Sequence, residues 1–252
     1  MSVRSFGRSV GAFSAALAAE NAAGRVAVIP DIKCVSPGEG ALAAGRDPVG
    51  MARRFVACGA PVLSVVTEPE HFGGSLELLR AVAEATQAPV LRKDLIADVT
   101  QLDETRACGA AAVLLICATT DEPTLRTLYA EALARGLEPL VEAHTAAELA
   151  LAMDLGARLA GINNRDITVL ERDRSGPELT ESLASAALAG RLLISESGIT
   201  SVADAQRAAA AGADAVLVGT ALWQADDPEA LYQALRVERV GRGEAGVARC
   251  DR

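Results

Sequence analysis

Aromatic residues are scarce in this chain of 252 residues, where Phe, Trp and Tyr together make up 3% of the sequence. Binding of single-stranded nucleic acid depends on aromatic platforms for the bases, so this mode of binding is not expected. Basic residues are also outnumbered, because 24 Lys and Arg stand against 33 Asp and Glu, a formal net charge of −9. This balance argues against general binding to nucleic acid or to an anionic membrane surface. An anionic substrate would need a local cluster of Lys and Arg.

Residues that bind metals or form disulfides are few. Two histidines exclude a His-rich metal site, and the five cysteines form no CxxC pair. Their odd number gives little support to disulfides or a zinc site, and it favours a reducing, cytoplasmic location. No apolar run approaches the roughly 20 residues of a membrane span. An Ala-rich stretch behind Arg4 and Arg8 loosely resembles a signal peptide. The spacing of Phe13, Leu17 and Glu20 instead favours an amphipathic helix.

What the chain does contain is a regular alternation of apolar runs and helical segments from about residue 25 onward. Hydrophobic residues make up 50% of the sequence, which is enough for one domain with a large aliphatic core. Strands that alternate with helices predict βαβ units and a parallel sheet. Eight strands are expected, at Val26–Lys33, Pro61–Thr67, Pro89–Lys93, Ala112–Cys117, Glu138–Glu142, Arg158–Asn163, Leu192–Glu196 and Ala215–Gly219.

Eight such units in about 250 residues are typical of the (β/α)8 TIM barrel, an α/β fold. A doubly wound sheet is the competing fold, but it would usually show a Gly-rich turn after the first strand, and no GxGxxG occurs there. The predicted organisation is a short N-terminal helical extension at residues 1–24 and a single barrel domain at 25–237. A flexible tail is expected at 238–252, where the apolar periodicity is lost.

Polar side chains stand at the carboxyl ends of several predicted strands, where a barrel enzyme builds its active site. They are Lys33, Lys93, Glu142, Asn163 and Glu196. Asp31 lies two residues before Lys33 and therefore faces the same side of its strand. Carboxylates and lysines around one cavity shift one another's pKa values, as acid–base catalysis at neutral pH requires. The alternative, a ring of salt bridges that closes the barrel, is disfavoured because five strand ends share this character.

Two glycine-containing turns follow the last two predicted strands. Ser197 and Gly198 lie in the first turn, and Gly219 and Thr220 lie in the second. Glycine lets backbone N–H groups approach an anion, and a helix N-terminus favours it, so the two turns predict a phosphate site. The loop after the second strand carries Phe72, which we interpret as an apolar wall for a ring-bearing substrate. A loop anchor tucked into the helix layer is the alternative for Phe72.

Several short stretches also match a known family. In chain order they are Ser64-Val65-Val66-Thr67-Glu68, Phe72-Gly73-Gly74-Ser75, Pro89-Val90-Leu91-Arg92-Lys93-Asp94, Leu114-Leu115-Ile116, Leu140-Val141-Glu142-Ala143-His144, Gly161-Ile162-Asn163-Asn164-Arg165-Asp166 and Ser195-Glu196-Ser197-Gly198-Ile199. Over about residues 25–237 the chain resembles the indole-3-glycerol phosphate synthase family, barrel lyases of tryptophan biosynthesis. The resemblance implies an enzyme without a cofactor that acts on a small phosphorylated substrate. The family closes the indole ring of 1-(2-carboxyphenylamino)-1-deoxyribulose 5-phosphate with loss of CO2 and water.

The resemblance also implies a role for each candidate residue. Lys93 resembles the general acid that protonates the ketone oxygen as the ring closes, and Lys33 resembles the lysine that binds the substrate carboxylate. Glu142 resembles the acid–base residue of the later dehydration. Asn163 and Glu196 resemble residues that orient the substrate. The implied binding residues are Ser36, Ser197, Gly198, Gly219 and Thr220 at the phosphate, and Arg165 near the anthranilate carboxylate.

The chain departs from the family pattern at three places. The family's first strand reads Ala-Glu-Ile-Lys, whereas Asp31 here shortens the acid by one methylene. Gly38-Glu39 replaces small and basic residues, which puts an acid near the expected phosphate. The N-terminal extension is shorter than in the family, where it helps to cap the mouth of the barrel. Two alternatives therefore stand beside the synthase: a specialised paralogue that acts on a related phosphorylated aryl-amino sugar in secondary metabolism, and a non-catalytic phosphate-ligand-binding barrel. A monomer or weak homo-oligomer is expected.

Overall fold

The computed structural model describes residues 11–43, 45–165, 176–184 and 190–240. Its strands are β1 (Ala27–Ile32), β2 (Val35–Ser36), β3 (Gly40–Ala41), β4 (Leu63–Val66), β5 (Val90–Lys93), β6 (Ala112–Ile116), β7 (Glu138–Ala143), β8 (Leu159–Asn163), β9 (Leu192–Glu196) and β10 (Ala215–Val218). Its α-helices are α1 (Ala12–Ala22), α2 (Pro48–Ala57), α3 (Leu76–Thr86), α4 (Val99–Ala107), α5 (Glu122–Ala134), α6 (Ala146–Asp154), α7 (Glu178–Leu183), α8 (Val202–Ala210), α9 (Thr220–Gln224) and α10 (Pro228–Leu235).

Eight parallel strands form a closed barrel in the order β1-β10-β9-β8-β7-β6-β5-β4. Helices follow the barrel strands along the chain, so the predicted (β/α)8 TIM barrel is confirmed. Each predicted strand coincides with a barrel strand to within two residues at either end. The small antiparallel pair of β2 and β3, directly after β1, was not predicted. Strands of two residues are too short to show a periodicity in the sequence.

The barrel interior changes from apolar to charged along the strand direction. Alternate residues of each strand point inward. The middle of the interior is filled by an aliphatic cluster that includes Ile29, Leu91, Leu114, Leu140, Ile194 and Leu217. One inward position further along, five strands present Asp31, Lys93, Glu142, Asn163 and Glu196 instead. The mouth of the barrel is therefore polar, and it rests on a packed apolar floor.

Helix α1 closes the opposite end of the barrel. Phe13 and Leu17 are fully buried in the interior cluster, against the first residues of several strands. The helix has no side-chain cap of its own at Gly11. The carboxylate of Glu138, the first residue of β7, takes that place and accepts hydrogen bonds from the backbone N–H of Phe13 (2.7 Å) and Ser14 (3.2 Å). The apolar face of α1 thus packs on the apolar end of the barrel, opposite the mouth.

The first residues of the predicted tail contact the barrel. Glu238 pairs with Arg25 in an isolated bridge, and the guanidinium of Arg239 donates to Oδ1 of Asp214 at 2.7 and 3.0 Å. Residues 1–10 and 241–252 lie outside the described residues, so the flexible tail and the domain boundaries stay predictions. None of the helices within the described ranges combines the length and the apolar character that crossing a membrane requires.

Candidate active site

The two lysines of the chain both lie at the mouth of the barrel. Lys93 ends β5, Lys33 follows β1, and the sequence contains no third lysine. Both line two adjoining cavities, and Asp31 lines the same two. Lys33 and Asp31 are 5% and 4% exposed, so both charges lie largely out of solvent. The structure thus brings together the predicted lysines and the acid that precedes one of them.

Asp31 is held from three sides. The hydroxyl of Ser64 on β4 donates to Oδ1 of Asp31 at 2.7 Å, and the indole N–H of Trp223 donates to the backbone carbonyl of Asp31 at 2.9 Å. A Cβ atom at Gly219 would lie 3.3 Å from Oδ2 of Asp31 and 3.1 Å from Cε of Lys33. Glycine therefore lets the start of α9 pack directly on both charged residues. Neither Ser64 nor Trp223 was predicted, although the inward alternation along β4 points to Ser64.

A pair of buried carboxyl groups lies deeper in the mouth. Glu142 on β7 and Glu196 on β9 have no exposed surface, and none of their four oxygens has a hydrogen-bond partner among the described residues. Burial raises the pKa of Glu196 well above its ordinary value of 4.5, and the neighbouring Glu142 carboxylate raises it further. The nearby Lys93 ammonium acts in the opposite direction but does not cancel this rise. Glu196 is therefore a group that holds a proton where an ordinary glutamate is ionised.

Gly161 makes room for this pair. The residue lies on β8 between its neighbours in the sheet, Glu142 on β7 and Ile194 on β9. A Cβ atom at Gly161 would lie 2.1 Å from Oε1 of Glu196, a distance that no real contact allows. The missing side chain is therefore a requirement of the Glu196 position, although Gly161 was not among the predicted site residues.

Asn163 ends β8, and Asn164, the next residue, connects β8 to the end of β9 and to the first phosphate turn. Oδ1 of Asn163 accepts the backbone N–H of Arg165 at 3.1 Å. Asn164 donates from Nδ2 to the backbone carbonyls of Glu196 (2.8 Å) and Ser197 (3.2 Å). Because Asn164 is buried and bonded to both residues, it fixes the end of β9 against the end of β8. Asn164 lies in a stretch that resembles the family, but no role was predicted for it. In the structure it holds the ends of β8 and β9 together.

The turns predicted to bind phosphate lie side by side. Ser197 (φ 60°) and Gly198 (φ 72°) both have left-handed backbone conformations, a rare state for Ser. Gly198, Gly219 and Thr220 line one cavity, which we call the cradle, together with both lysines and Arg165. The hydroxyl of Thr220 is buried and has no hydrogen-bond partner within the described ranges. These groups form a concave polar site on one side of the lysines.

Ser36 and Glu39 lie around the small antiparallel pair that follows β1. The hydroxyl of Ser36 is buried and, among the residues described, has no hydrogen-bond partner, but Ser36 does not line the cradle. Glu39 is exposed and lines a larger outer cavity of about 630 Å³ that continues from the cradle. The amide of Gln224 donates to its carboxylate at 3.1 Å. The acid that replaces a basic family residue therefore faces this outer cavity rather than the cradle itself.

An apolar pocket lies on the other side of the lysines. Phe72, only 8% exposed, lines it together with Val66, Leu95, Leu114 and Ile116. Phe72 therefore lines the mouth, and its role as an apolar wall for a ring-bearing substrate stays a prediction. Leu95 is 42% exposed at the rim of this pocket. The four aliphatic residues, from β4, β6 and the loop after β5, were not predicted as site residues.

Glu68 organises the loop that carries Phe72. Its carboxylate accepts hydrogen bonds from the backbone N–H groups of Glu70 (2.9 Å), His71 (2.8 Å) and Phe72 (3.1 Å). Glu68, Glu70 and His71 also approach one another closely enough to share a cation. The three backbone donors already account for the position of the Glu68 carboxylate, so this cluster is explained without a metal.

Arg92 fixes the strand end that carries Lys93. It points away from the barrel interior and is 3% exposed. Its guanidinium donates to Oδ2 of Asp94 at 2.8 Å, to the carbonyl of Gln101 at 2.8 Å and to the hydroxyl of Thr105 at 3.0 Å. Arg92 therefore anchors β5 to α4, whereas the side chain of the next residue, Lys93, points to the other face of the strand and lines the mouth.

Comparison with known proteins decides the family. The family model described as indole-3-glycerol phosphate synthase matches residues 4–235. The chain belongs to this family. A relative named indole-3-glycerol phosphate synthase, from Exiguobacterium sibiricum, is 43% identical over 210 residues, which cover 83% of this chain and 80% of the relative. A relative of the same name from Kineococcus radiotolerans is 45% identical over 203 residues, which cover 81% of this chain and 73% of the relative.

A solved structure outside the indole-3-glycerol phosphate synthase family supports the architecture. Thiamine phosphate pyrophosphorylase from Pyrococcus furiosus aligns with a TM-score of 0.61 at 15% sequence identity. The alignment covers 83% of this chain and 93% of that structure. At this level of identity the likeness shows the fold alone, because unrelated chemistries share the same barrel.

Proposed function

We propose that the chain is a working indole-3-glycerol phosphate synthase, a carboxy-lyase that acts on 1-(2-carboxyphenylamino)-1-deoxyribulose 5-phosphate. The observation that carries the proposal is the position of Lys33 and Lys93 between the apolar pocket and the cradle. The substrate has an aryl ring at one end, a phosphate at the other and the reacting ketone between them. A ring beside Phe72 and a phosphate at Gly198 and Thr220 would bring that ketone to the lysines.

Lys93 would serve as the general acid of ring closure. The ring carbon that bears the carboxylate attacks the ketone carbon, and the electron pair of the carbonyl bond moves onto oxygen. The Lys93 ammonium protonates that oxygen as its negative charge develops, which lowers the barrier. Lys33 would bind the carboxylate before it leaves as CO2, with Arg165 as a second cation on the cradle side. Asp31, held by Ser64, would orient the Lys33 ammonium.

Glu142 would act in the dehydration that follows. The hydroxyl formed from the ketone leaves as water when Glu142 donates a proton to it. The adjacent carbon, C1 of the former sugar, gives up a proton to the amine that Lys93 became in ring closure, and formation of the aromatic double bond drives the step. Glu196, protonated by virtue of its raised pKa, would donate a hydrogen bond to the substrate, and Asn163 would complete the orientation. Ser36, Ser197, Gly198, Gly219 and Thr220 would hold the phosphate. Each step is acid–base chemistry without a net redox change, so the reaction as proposed needs no cofactor. A cytoplasmic monomer or weak homo-oligomer that binds no nucleic acid stays a prediction.

The test is an assay of the purified full chain with this substrate, followed by the fluorescence of the indole product and by CO2 release. Lys93→Met keeps an unbranched side chain but removes the ammonium. We expect kcat to fall by about 10²- to 10⁴-fold, because this is the usual contribution of a general acid to the rate, with little change in KM. Arg126→Met, at a side chain that is 42% exposed on α5, is the matched control and should behave as wild type. Full activity of Lys93→Met, or a wild-type chain that forms no indole product, would contradict the proposal.

The specialised paralogue stays a second candidate because of two observations. Asp31 and Glu39, the departures from the family pattern, both line cavities of the site. The same assay with substrates that carry substituents on the aryl ring separates the candidates. A higher kcat/KM for a substituted substrate than for the unsubstituted one would favour the paralogue.

A further inference from the structure

The reaction proposed above consumes one proton in each turnover. The substrate carboxylate leaves as neutral CO2 while the phosphate keeps its charge, so one proton from solvent must balance the loss of negative charge. Glu142 is the group proposed to donate to the leaving hydroxyl, and it has no exposed surface. The buried acid therefore needs a route by which a solvent proton reaches it after each turnover.

His144 lies between Glu142 and the protein surface. Its Nε2 atom is 3.6 Å from Oε1 of Glu142, and its Nδ1 atom is 3.7 Å from Oε2 of Glu148. The exposed fraction of the side chain rises along this row, from 0% at Glu142 through 14% at His144 to 23% at Glu148. One imidazole thus faces a buried carboxylate with one nitrogen and a solvent-accessible carboxylate with the other.

The fold holds these groups in place. Glu148 lies in the first turn of α6, and its Oε2 atom accepts the backbone N–H of His144 at 2.6 Å. Both ring nitrogens of His144 are buried without a hydrogen-bond partner among the described residues. Each lies only a few tenths of an ångström beyond hydrogen-bonding distance of a carboxylate oxygen, a looseness that is common at catalytic groups before substrate binds.

We propose that His144 and Glu148 relay a solvent proton to Glu142 in each turnover. This inference rests on the proposed synthase activity. Glu148 takes a proton from water and passes it to Nδ1 of His144. The imidazolium then releases its Nε2 proton to Oε1 of Glu142, which becomes the acid for the next dehydration. The neutral ring, now protonated at Nδ1, returns to its starting tautomer by exchange with solvent. His144 touches no substrate in this scheme and acts through Glu142.

The other titratable groups around this row do not offer the same path. Cys117, after β6, lies 3.9 Å from the carbonyl of Glu148, and burial raises the pKa of its thiol to about 12. Glu196 and Lys93 lie on the interior side of Glu142, within the mouth. Of the described groups named here, only His144 faces Glu142 on one side and a partly exposed carboxylate on the other.

The experiment compares His144→Ala, Glu148→Gln and the control His71→Asn with the wild-type chain. Glu148→Gln keeps an acceptor for the backbone N–H of His144 but cannot carry a proton. His71, the other histidine, is 40% exposed on the loop after β4. We expect kcat of His144→Ala and Glu148→Gln to fall about 10-fold or more with KM unchanged, and His71→Asn to match wild type. Melting temperatures establish that each variant is folded.

Dependence on buffer gives the decisive readout. When the relay is lost, small acids such as imidazolium must deliver the proton, so kcat of His144→Ala should rise with imidazole concentration at constant pH and level off. Wild-type kcat should show no such dependence. A His144→Ala variant with wild-type kcat, or one with a low kcat that imidazole does not restore, would overturn the relay while wild-type turnover leaves the proposed function intact. A wild-type chain without turnover would instead remove the proposed function.

Discussion

Gly161→Ala tests how strictly the barrel positions its buried acid. The new Cβ atom would lie 2.1 Å from Oε1 of Glu196, whereas ordinary van der Waals contact begins at 3.4 Å. The Glu196 carboxylate must therefore move by about 1.3 Å, the difference between these two distances. It cannot turn out to solvent, because it is fully buried beside Glu142.

A displacement of this size has a predictable effect on rate. Misplacing a catalytic group by about 1 Å costs on the order of 100-fold, or roughly 2.7 kcal/mol of barrier. We expect kcat of Gly161→Ala to fall by about that factor, and the extra methyl group to lower the free energy of unfolding by about 1–3 kcal/mol. The rate is measured by product fluorescence, and the stability by urea unfolding.

A double variant refines the test. Glu196→Asp withdraws the carboxylate by about one C–C bond, roughly 1.5 Å, and so relieves the clash with Ala at position 161. Gly161→Ala combined with Glu196→Asp should therefore be no slower than Glu196→Asp alone. The matched control is Gly50→Ala on α2, where the added atom would lie 2.7 Å from Oδ2 of Asp47, a side chain that is exposed and remote from the mouth. Wild-type kcat in Gly161→Ala, or fully multiplicative losses in the double variant, would refute the reasoning.

Two further predictions concern stability. Folding raises the pKa of Glu196, so above pH 4.5 the unfolded chain releases a proton that the folded chain retains, and stability falls as pH rises toward the raised pKa. Glu196→Gln cannot ionise and so removes this pH-dependent loss of stability. The difference in melting temperature between Glu196→Gln and wild type should therefore grow as pH increases from 4.5. A difference that is constant with pH would contradict this prediction. Leu17→Ala on α1 should lower the free energy of unfolding by about 2–5 kcal/mol with kcat nearly unchanged, because Leu17 is buried at the far end of the barrel. Urea unfolding and the activity assay check this, and an equal stability with a reduced kcat would contradict it.

The architecture could be predicted because each barrel strand is a short apolar run. The run at Leu192–Glu196 coincides with β9, and its last residue faces the mouth as the alternation requires. The convergence of Lys33, Lys93 and Asp31 could also be predicted, because the carboxyl ends of parallel strands meet at one edge of the barrel.

Contacts across the closed barrel could not be predicted. The bond from Ser64 to Asp31 and the space that Gly161 leaves for Glu196 depend on the register between strands that are distant in sequence. The position of α1 could not be predicted for a related reason. An apolar stripe indicates a helix that must be covered, but it does not indicate which end of the barrel covers it.

The confinement of both lysines to the mouth makes the active site chemically addressable in the intact protein. All but two of the 24 basic side chains are arginines, so reagents selective for primary amines find only Lys33, Lys93 and the chain's own α-amine. Reductive methylation with ¹³C-formaldehyde would therefore add very few NMR signals, and two of them would come from the site. Those signals would follow substrate binding and protonation at the mouth without a substitution, beside one further signal from the α-amine.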